Sequence, residues 1–321
     1  MQMVEMKSIL SGYDLGNPDS VTELKPNRAW RIDHRSGQWV LAKRPMYDAA
    51  SRRIERLESA SRLMTELHHA AQPWVLAKLN RDGRYITVGE ESLYQITAFV
   101  EGQTDWNNLT LEVIPEIGRA MGAYHRYQET TCDTTLPNFD FHKLVIDGLN
   151  TRKDELMSFP VERSPSAADV DAALAEFGKL SERLSDLPSG LIHMDLSPGN
   201  VVTQDGVLSG IIDFEAFPAP FLLDIGIAVM YWTATFDPDT ADTHINPERL
   251  RVLLESYSLE RSLSADETSS LKDALIWCAI RWWSRQGSYR KEDPDYRLHS
   301  RYDTYRCCQD IDDDWLRSCV A

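Results

Sequence analysis

The chain has 321 residues, 42% of them hydrophobic and 26% charged, with a net charge of −16. That is the composition of a soluble globular protein, long enough for one two-lobed unit with a sizeable core. The acidity argues against nucleic acid as a partner, because a phosphate-binding face needs clustered Lys and Arg.

No apolar run approaches the roughly 18 residues of a membrane span, so no membrane partner is expected. The opening stretch MQMVEMKSILSGYDLG lacks the basic start and apolar core of a signal peptide. Cys132, Cys278, Cys307, Cys308 and Cys319 show no metal-ligand spacing. Reduced thiols in a cytoplasmic protein fit that usage.

In chain order, Val21–Leu24, Ala29–Ile32 and Trp39–Ala42 read as strands, separated by Lys25-Pro26-Asn27 and by Ser36-Gly37. Ala49–Ala71 has helical spacing through Ile54, Leu57, Leu63, Met64 and Leu67. Asp82-Gly83 marks a turn between Trp74–Leu79 and Tyr85–Val88. The run Leu93–Val100 is a further strand, ending at Glu101-Gly102. Leu111–Tyr127 is an amphipathic helix in which Gly118 and Gly122 permit close packing and His125 reads as core. Helical stretches follow from Phe141, interrupted at Phe159-Pro160 and Ser164-Pro165, with a last helix from Ala167 to about Leu187.

The stretch Leu191–Glu215 carries the chemistry. Asp205-Gly206 between Val201–Thr203 and Val207–Ile212 is a strong hairpin signal, because a type I′ turn needs positive φ at both central residues. With that loop, Gln204 faces Val207 and Asn200 faces Ile211, so Asp213 shares a face with Asn200. A one-residue slip would place the two on opposite faces. His193-Met194-Asp195, with Asn200 five positions after Asp195, has the spacing of a kinase catalytic loop. There an Asp takes the acceptor hydroxyl proton and an Asn binds the metal. Asp213-Phe214 stands where the second metal Asp is expected, with Glu215 in place of Gly. Carboxylate and amide oxygens suit the hard Mg²⁺ that accompanies ATP. His193 reads as a buttress of the loop.

These residues resemble the aminoglycoside phosphotransferase and choline kinase superfamily, the small-molecule branch of the protein-kinase-like fold, and within it the homoserine kinase type II group. Phe221–Ala228 (FLLDIGIA) is similar to the helix that follows the metal Asp in that superfamily. The resemblance implies that Asp224 accepts the backbone N–H groups of the catalytic loop; a first-turn helix Asp is the compatible plain reading. It implies an α+β, bilobal fold. Residues 1–100 form the small nucleotide-binding lobe, an antiparallel sheet plus a helix. Residues 101–321 form a larger, mainly helical lobe carrying the hairpin and the acceptor site.

By the same resemblance Asp195 is the catalytic base, Asn200 and Asp213 hold Mg²⁺, and Lys43 of Val40-Leu41-Ala42-Lys43 steadies the ATP phosphates. Glu58 of the long helix, or Glu55, pairs with that Lys. The backbone of Ala98 and Val100 at the hinge offers hydrogen bonds to adenine. No Gly-x-Gly-x-x-Gly covers the phosphates. Only nine residues separate Phe214 from Asp224, too few for the regulated segment of a protein kinase. Ala279–Arg285 resembles a pattern of homoserine kinase relatives in which Trp282 and Trp283 read as core and Arg281 and Arg285 either reach substrate or lie on the surface. Asp310, Asp312, Asp313 and Asp314 read as a solvated acidic end. The expected activity is ATP- and Mg²⁺-dependent transfer to a hydroxyl of a small molecule such as homoserine. An antibiotic kinase and a non-catalytic kinase-like protein are the rival readings.

Overall fold

In the computed structural model the described residues are 3–46, 50–104, 111–131, 145, 165–236, 243–284 and 301–320. Arg285, Cys132 and the helical stretches expected between 141 and 164 lie outside them. By their contacts, Met1–Asp105 and Gly199–Ala216 form one compact unit, and Trp106–Pro198 and Phe217–Ala321 the other. The hairpin therefore groups with the first hundred residues.

The first unit is built on a five-stranded antiparallel sheet. Its strands are β1 (Ser20–Lys25), β2 (Ala29–His34), β3 (Gly37–Pro45), β4 (Ile86–Val88) and β5 (Ser92–Ala98), in the order β1-β2-β3-β5-β4. All five lie where the alternating Val, Ile, Trp and Thr residues put them. Trp74–Leu79, ahead of the turn expected at Asp82-Gly83, is bridged at Trp74 and Ala77 and bonded to β5 through Lys78 N to Ile96 O and Ala98 N to Leu76 O, both at 2.8 Å.

Side-chain alternation gives the sheet two different faces. A helix absent from the sequence reading, α1 (Met3–Gly12), covers one of them. Met6, Ile9 and Leu10 pack there with Trp30, Ile32, Leu41, Tyr94 and Ile96. The long helix α2 (Ala50–His69) covers the other face, where Leu57 meets Ile86 and Leu93. Ser61 of α2 also receives a hydrogen bond of 2.7 Å from the Gln95 amide on β5.

The second unit is mainly helical. It comprises α3 (Val113–Thr131), α4 (Ala167–Leu184), α5 (Phe221–Trp232), α6 (Pro247–Ser258), α7 (Ala265–Ser284), α8 (Arg301–Asp310) and α9 (Asp313–Ser318). A short ribbon of β6 (Ser189–Ile192) and β9 (Phe217–Pro220) completes its centre. Ser166 and Asp169 close a capping box at the start of α4, each side chain bonding the other's backbone N–H. Every side chain of α5 is buried, so this helix forms the middle of the lobe. The expected acidic tail is in part a helix start, with the Asp312 carboxylate accepting from Trp315 N at 2.7 Å.

Close approach of α3 to α6 depends on two glycines. A Cβ on Gly118 would stand 2.6 Å from the Leu253 carbonyl oxygen, and one on Gly122 2.6 Å from that of Tyr257. Backbone cannot yield as a flexible side chain can. Gly118→Ala is therefore expected to lower unfolding free energy by about 1–3 kcal/mol through overpacking, read as a lower midpoint in urea; an unchanged midpoint would show that the helices separate freely.

Candidate functional site

The loop bearing Asp195 leaves β6 at Ile192 and runs through His193 and Met194. Met194 has φ +58°, a left-handed conformation that a long side chain rarely adopts and that needs support. Asp224 on α5 supplies it. Its two oxygens accept the His193 N–H at 2.9 Å and the Met194 N–H at 2.7 Å. The Trp232 indole donates to Leu196 O at 2.6 Å, holding the other side of Asp195. Asp195 itself is partly exposed, whereas His193 is buried beside it, as a buttress should be.

Asp224 is fully buried, and α3 surrounds it with donors. Tyr124 Oη lies 3.1 Å from its carboxylate and 2.5 Å from Leu191 O. His125 Nε2 lies 3.3 Å from the same carboxylate, with Nδ1 2.9 Å from Tyr257 Oη. Burial, aided by the Arg261 charge, pushes the His125 pKa below 6.5 despite its bond to Asp224. Burial alone would raise the Asp224 carboxyl, but the His125 hydrogen bond and the His193 N–H outweigh it and keep it ionised. His125 is thus a neutral core group, as its place on α3 suggested. Gln128, one turn on, brackets β6 by accepting Leu191 N at 2.7 Å and donating to Leu191 O at 2.8 Å.

The hairpin is β7 (Val201–Gln204) and β8 (Val207–Ile211), with Asp205 at φ +53° and Gly206 at φ +81° as the type I′ turn demands. Its register differs from the regular one. Gln204 faces Val207 and Thr203 faces Leu208, but Val202 then faces Gly210 and Val201 faces Ile211. Ser209 is the extra residue of a β-bulge, which moves Asn200 opposite Ile212 instead of Ile211. The Ile212 N–H donates to Asn200 O at 2.9 Å. Asp213 then leaves the extended region altogether, at φ +63°, so strand alternation does not decide where its side chain points. The shared-face argument for Asn200 and Asp213 is corrected accordingly. The ribbon is fixed from outside: Ile211 N donates to Pro73 O at 2.7 Å, and Gln103 and Thr203 exchange bonds of 2.8 and 2.9 Å. Gly102, at φ +136°, admits that approach, since a Cβ there would stand 2.5 Å from Thr203 O.

Lys43 and Asp213 are not brought together. Lys43 is paired with Tyr94 across the ladder and therefore faces α1. Its Nζ lies 4.0 Å from Glu5 and 5.8 Å from the Tyr94 ring centroid. The next residue, Arg44, faces the α2 side, with Nη2 2.5 Å from Asp213 Oδ1 and Nη1 3.5 Å from Glu215 Oε1. Burial disfavours its charge, but the Asp213 and Glu215 carboxylates more than compensate and raise its pKa. Glu215 also accepts from Arg53 of α2, whose Nη1 donates to Pro45 O at 2.8 Å. Arg56 shares this field, its pKa lowered mainly by burial.

Glu58 does not reach Lys43 either. Its carboxylate accepts Tyr85 N at 3.0 Å, Ile86 N at 3.1 Å and Arg84 Nε at 3.2 Å, securing the start of β4. Glu55 is exposed. At the hinge, the Ala98 N–H already donates to Leu76 O at 2.8 Å. Val100 packs against Gly210 of the hairpin. Arg281 is buried in α7 with Trp282 and Trp283, the core role expected of the two Trp residues. Arg44, Glu215 and Arg53 are the charged residues that sequence reasoning missed. Nothing in the sequence singled out Arg44, because the two faces of β3 become distinct only once α1 and α2 cover them.

A sheet with a crossing helix, a hairpin carrying Asn and Asp, and a helical lobe that cradles an Asp-bearing loop define a protein-kinase-like phosphotransferase. Residues 25–257 match the phosphotransferase enzyme family APH. The chain is 36% identical over 287 residues to a homoserine kinase of Neisseria meningitidis, covering 87% of this chain and 86% of that one. With a homoserine kinase of Mesorhizobium japonicum it shares 28% over 285 residues, covering 87% and 83%. Among solved structures, amicoumacin kinase hAmiN superposes with a TM-score of 0.64 at 15% identity, over 99% of this chain and 93% of that one. A microcompartment-associated aminopropanol kinase gives 0.61 at 18%, over 99% and 95%. The chain belongs to the phosphotransferase enzyme family and is a small-molecule kinase that uses ATP. No helix of the described residues is long and apolar enough to cross a membrane.

The His125–Asp224 pair makes stability depend on pH with a definite sign. A His whose folded pKa lies below its unfolded value of about 6.5 favours folding above that pH and loses the contribution as pH falls. Between about pH 7.5 and about pH 5.5 the urea midpoint of the wild-type protein is expected to fall further than that of His125→Gln; equal falls would mean that His125 binds a proton as readily in the folded protein as in the unfolded one, and a smaller fall in the wild type would mean that folding favours the protonated ring.

Proposed function

We propose that the protein transfers the γ-phosphate of ATP to the side-chain hydroxyl of homoserine or a closely similar small amino acid or amino alcohol. The observation that carries this is the 36% identity to a homoserine kinase along 87% of the chain. The intact Asp195, Asn200 and Asp213 support catalysis of that kind. Buried thiols at Cys278, Cys308 and Cys319 support a cytoplasmic setting.

The residues fit Mg²⁺ as the companion of ATP. Asn200 and Asp213 offer an amide and a carboxylate oxygen, the hard donors this ion prefers. Among the described residues no three of His, Cys, Asp and Glu gather into a cage that would hold a metal by itself. That suits an ion shared with nucleotide phosphates, which keeps only one or two protein ligands. Bound there, Mg²⁺ would neutralise charge on the β- and γ-phosphates.

Asp195 accepts the proton of the attacking hydroxyl. Its position between a Met194 N–H held by Asp224 and a Leu196 carbonyl held by Trp232 fixes the backbone that presents the carboxylate and leaves the residue partly exposed. The Tyr124 and Gln128 side chains hold β6 behind it at Leu191. Catalysis is then mainly positioning and electrostatics, since the transferred phosphoryl group needs little covalent help.

ADP release in the presence of Mg²⁺, followed across homoserine, aminopropanol, choline and aminoglycosides, tests the substrate. Homoserine is expected to give the highest kcat/KM, and turnover confined to an aminoglycoside would replace it. Asp195→Ala should lower kcat by about 10²–10⁴-fold with ATP binding nearly intact, and a retained kcat would remove Asp195 from the mechanism. Asp213→Ala should instead raise the Mg²⁺ concentration needed for half-maximal rate; an unchanged requirement would count against its role as a ligand.

A further inference from the structure

Two cations stand side by side on β3, and strand geometry sends them to opposite faces of the sheet. Lys43 lies on the face that α1 covers, beside Glu5 and Tyr94. A side chain cannot pass through its own sheet, so Lys43 and Asp213 cannot meet without a change of register. Arg44 already meets Asp213, at 2.5 Å.

The surroundings of Arg44 invert the expected charges. The strand cation should be held by a carboxylate of the long helix, yet the α2 carboxylate Glu58 is occupied by the backbone of Tyr85 and Ile86. What α2 presents is a guanidinium, Arg53, and the carboxylate between the two arginines comes from Glu215. Glu215 stands where a protein kinase carries Gly, so the link has its own place in this chain.

Arg44 has two acid partners with different exposures. The Asp213 side chain is 43% exposed and that of Glu215 22%, while Arg44 is 13% exposed. An incoming ligand therefore reaches Asp213 first. A group that takes the Asp213 oxygens frees one edge of the Arg44 fork, and Glu215 keeps the other edge in place. The planar fork suits phosphate oxygens, which it meets in pairs.

We infer that Arg44, and not Lys43, is the strand cation that receives the phosphates of the nucleotide, and that Arg53 aims it through Glu215. This rests on the reading of the protein as an ATP-dependent kinase with Asp213 at its metal. Arg44 is a phosphate-binding residue; Arg53 and Glu215 are positioning residues.

Calorimetric titration of the full chain with a non-hydrolysable ATP analogue and Mg²⁺, and separately with adenosine, tests it. Arg44→Met is expected to weaken the analogue by about 10–100-fold, the range of a charge-assisted contact, with adenosine binding unchanged. Lys43→Met should move either affinity by less than about threefold, as for a surface ion pair. Glu215→Gln and Arg53→Met should each weaken the analogue several-fold and leave adenosine alone. Should Arg44→Met fail to fold, Arg44→Lys decides: it keeps the charge and loses the fork, so the analogue weakens and adenosine does not. An analogue affinity unchanged in the Arg44 variants, a selective loss in Lys43→Met, or equal losses of analogue and adenosine in Arg44→Met would each overturn the assignment. A wild-type protein that binds adenosine and analogue alike, or neither, brings down the kinase reading with it, whereas normal wild-type binding with an indifferent Arg44→Met brings down this inference alone.

Discussion

A carboxylate with no exposure to water accepts two consecutive backbone N–H groups, and the presentation of Asp195 depends on it. Met194 sits at positive φ, which costs a non-glycine residue on the order of 1–2 kcal/mol. Asp224 offsets that cost with two charge-assisted bonds to the His193 and Met194 N–H groups. The same carboxylate needs Tyr124 and His125 to remain tolerable in an apolar interior, because a buried charge without donors would protonate. This explains why α3 is pressed so closely on α6 at Gly118 and Gly122: the helix must bring Tyr124 and His125 to Asp224 and also meet Tyr257, which bonds His125.

The hairpin solves a different problem. A two-stranded ribbon alone is marginally stable and free to slip. Here it is docked on Pro73 and Gln103, and the bulge at Ser209 absorbs the difference between the register its turn prefers and the one its neighbours impose. Asp213 lies just past the last paired residue, in a left-handed conformation, and its carboxylate is found against Arg44. A polar hairpin end thus becomes a place where opposite charges are held in a defined but exchangeable arrangement.

Charge placement in the first unit follows from coverage of the sheet. Because α1 buries the face of Trp30, Ile32 and Leu41, the odd positions of β3 are removed from the α2 side, Lys43 among them. Its ammonium remains near Glu5, an ion pair of modest strength at partial exposure. The even positions face α2, and Arg44, Arg53 and Glu215 form a chain of alternating charge there. The proposed nucleotide role of Arg44 rests on this placement: the cation on the α2 side of β3, beside Asp213, is Arg44 and not Lys43.

Much of this was legible in the amino-acid sequence, because local signals are local physics. Alternating Val and Ile, the Asp205-Gly206 turn, the 3.6-residue spacing of α2 and α3, and the separation of His193, Asp195, Asn200 and Asp213 each depend on residues close in the chain. So the sheet, the hairpin, the helical lobe and the loop held by Asp224 were readable from composition, spacing and resemblance. What long-range contacts decide was not readable. The two faces of β3 are equivalent until α1 and α2 cover them, so Lys43 and Arg44 could not be told apart. The ribbon's register was open until Pro73 and Gln103 met it, and Glu58 was an ordinary helix carboxylate until the backbone of Tyr85 and Ile86 folded over it. Sequence determined which elements form and which chemistry they can carry; only tertiary packing chose which face, which register and which neighbouring side chain carries it.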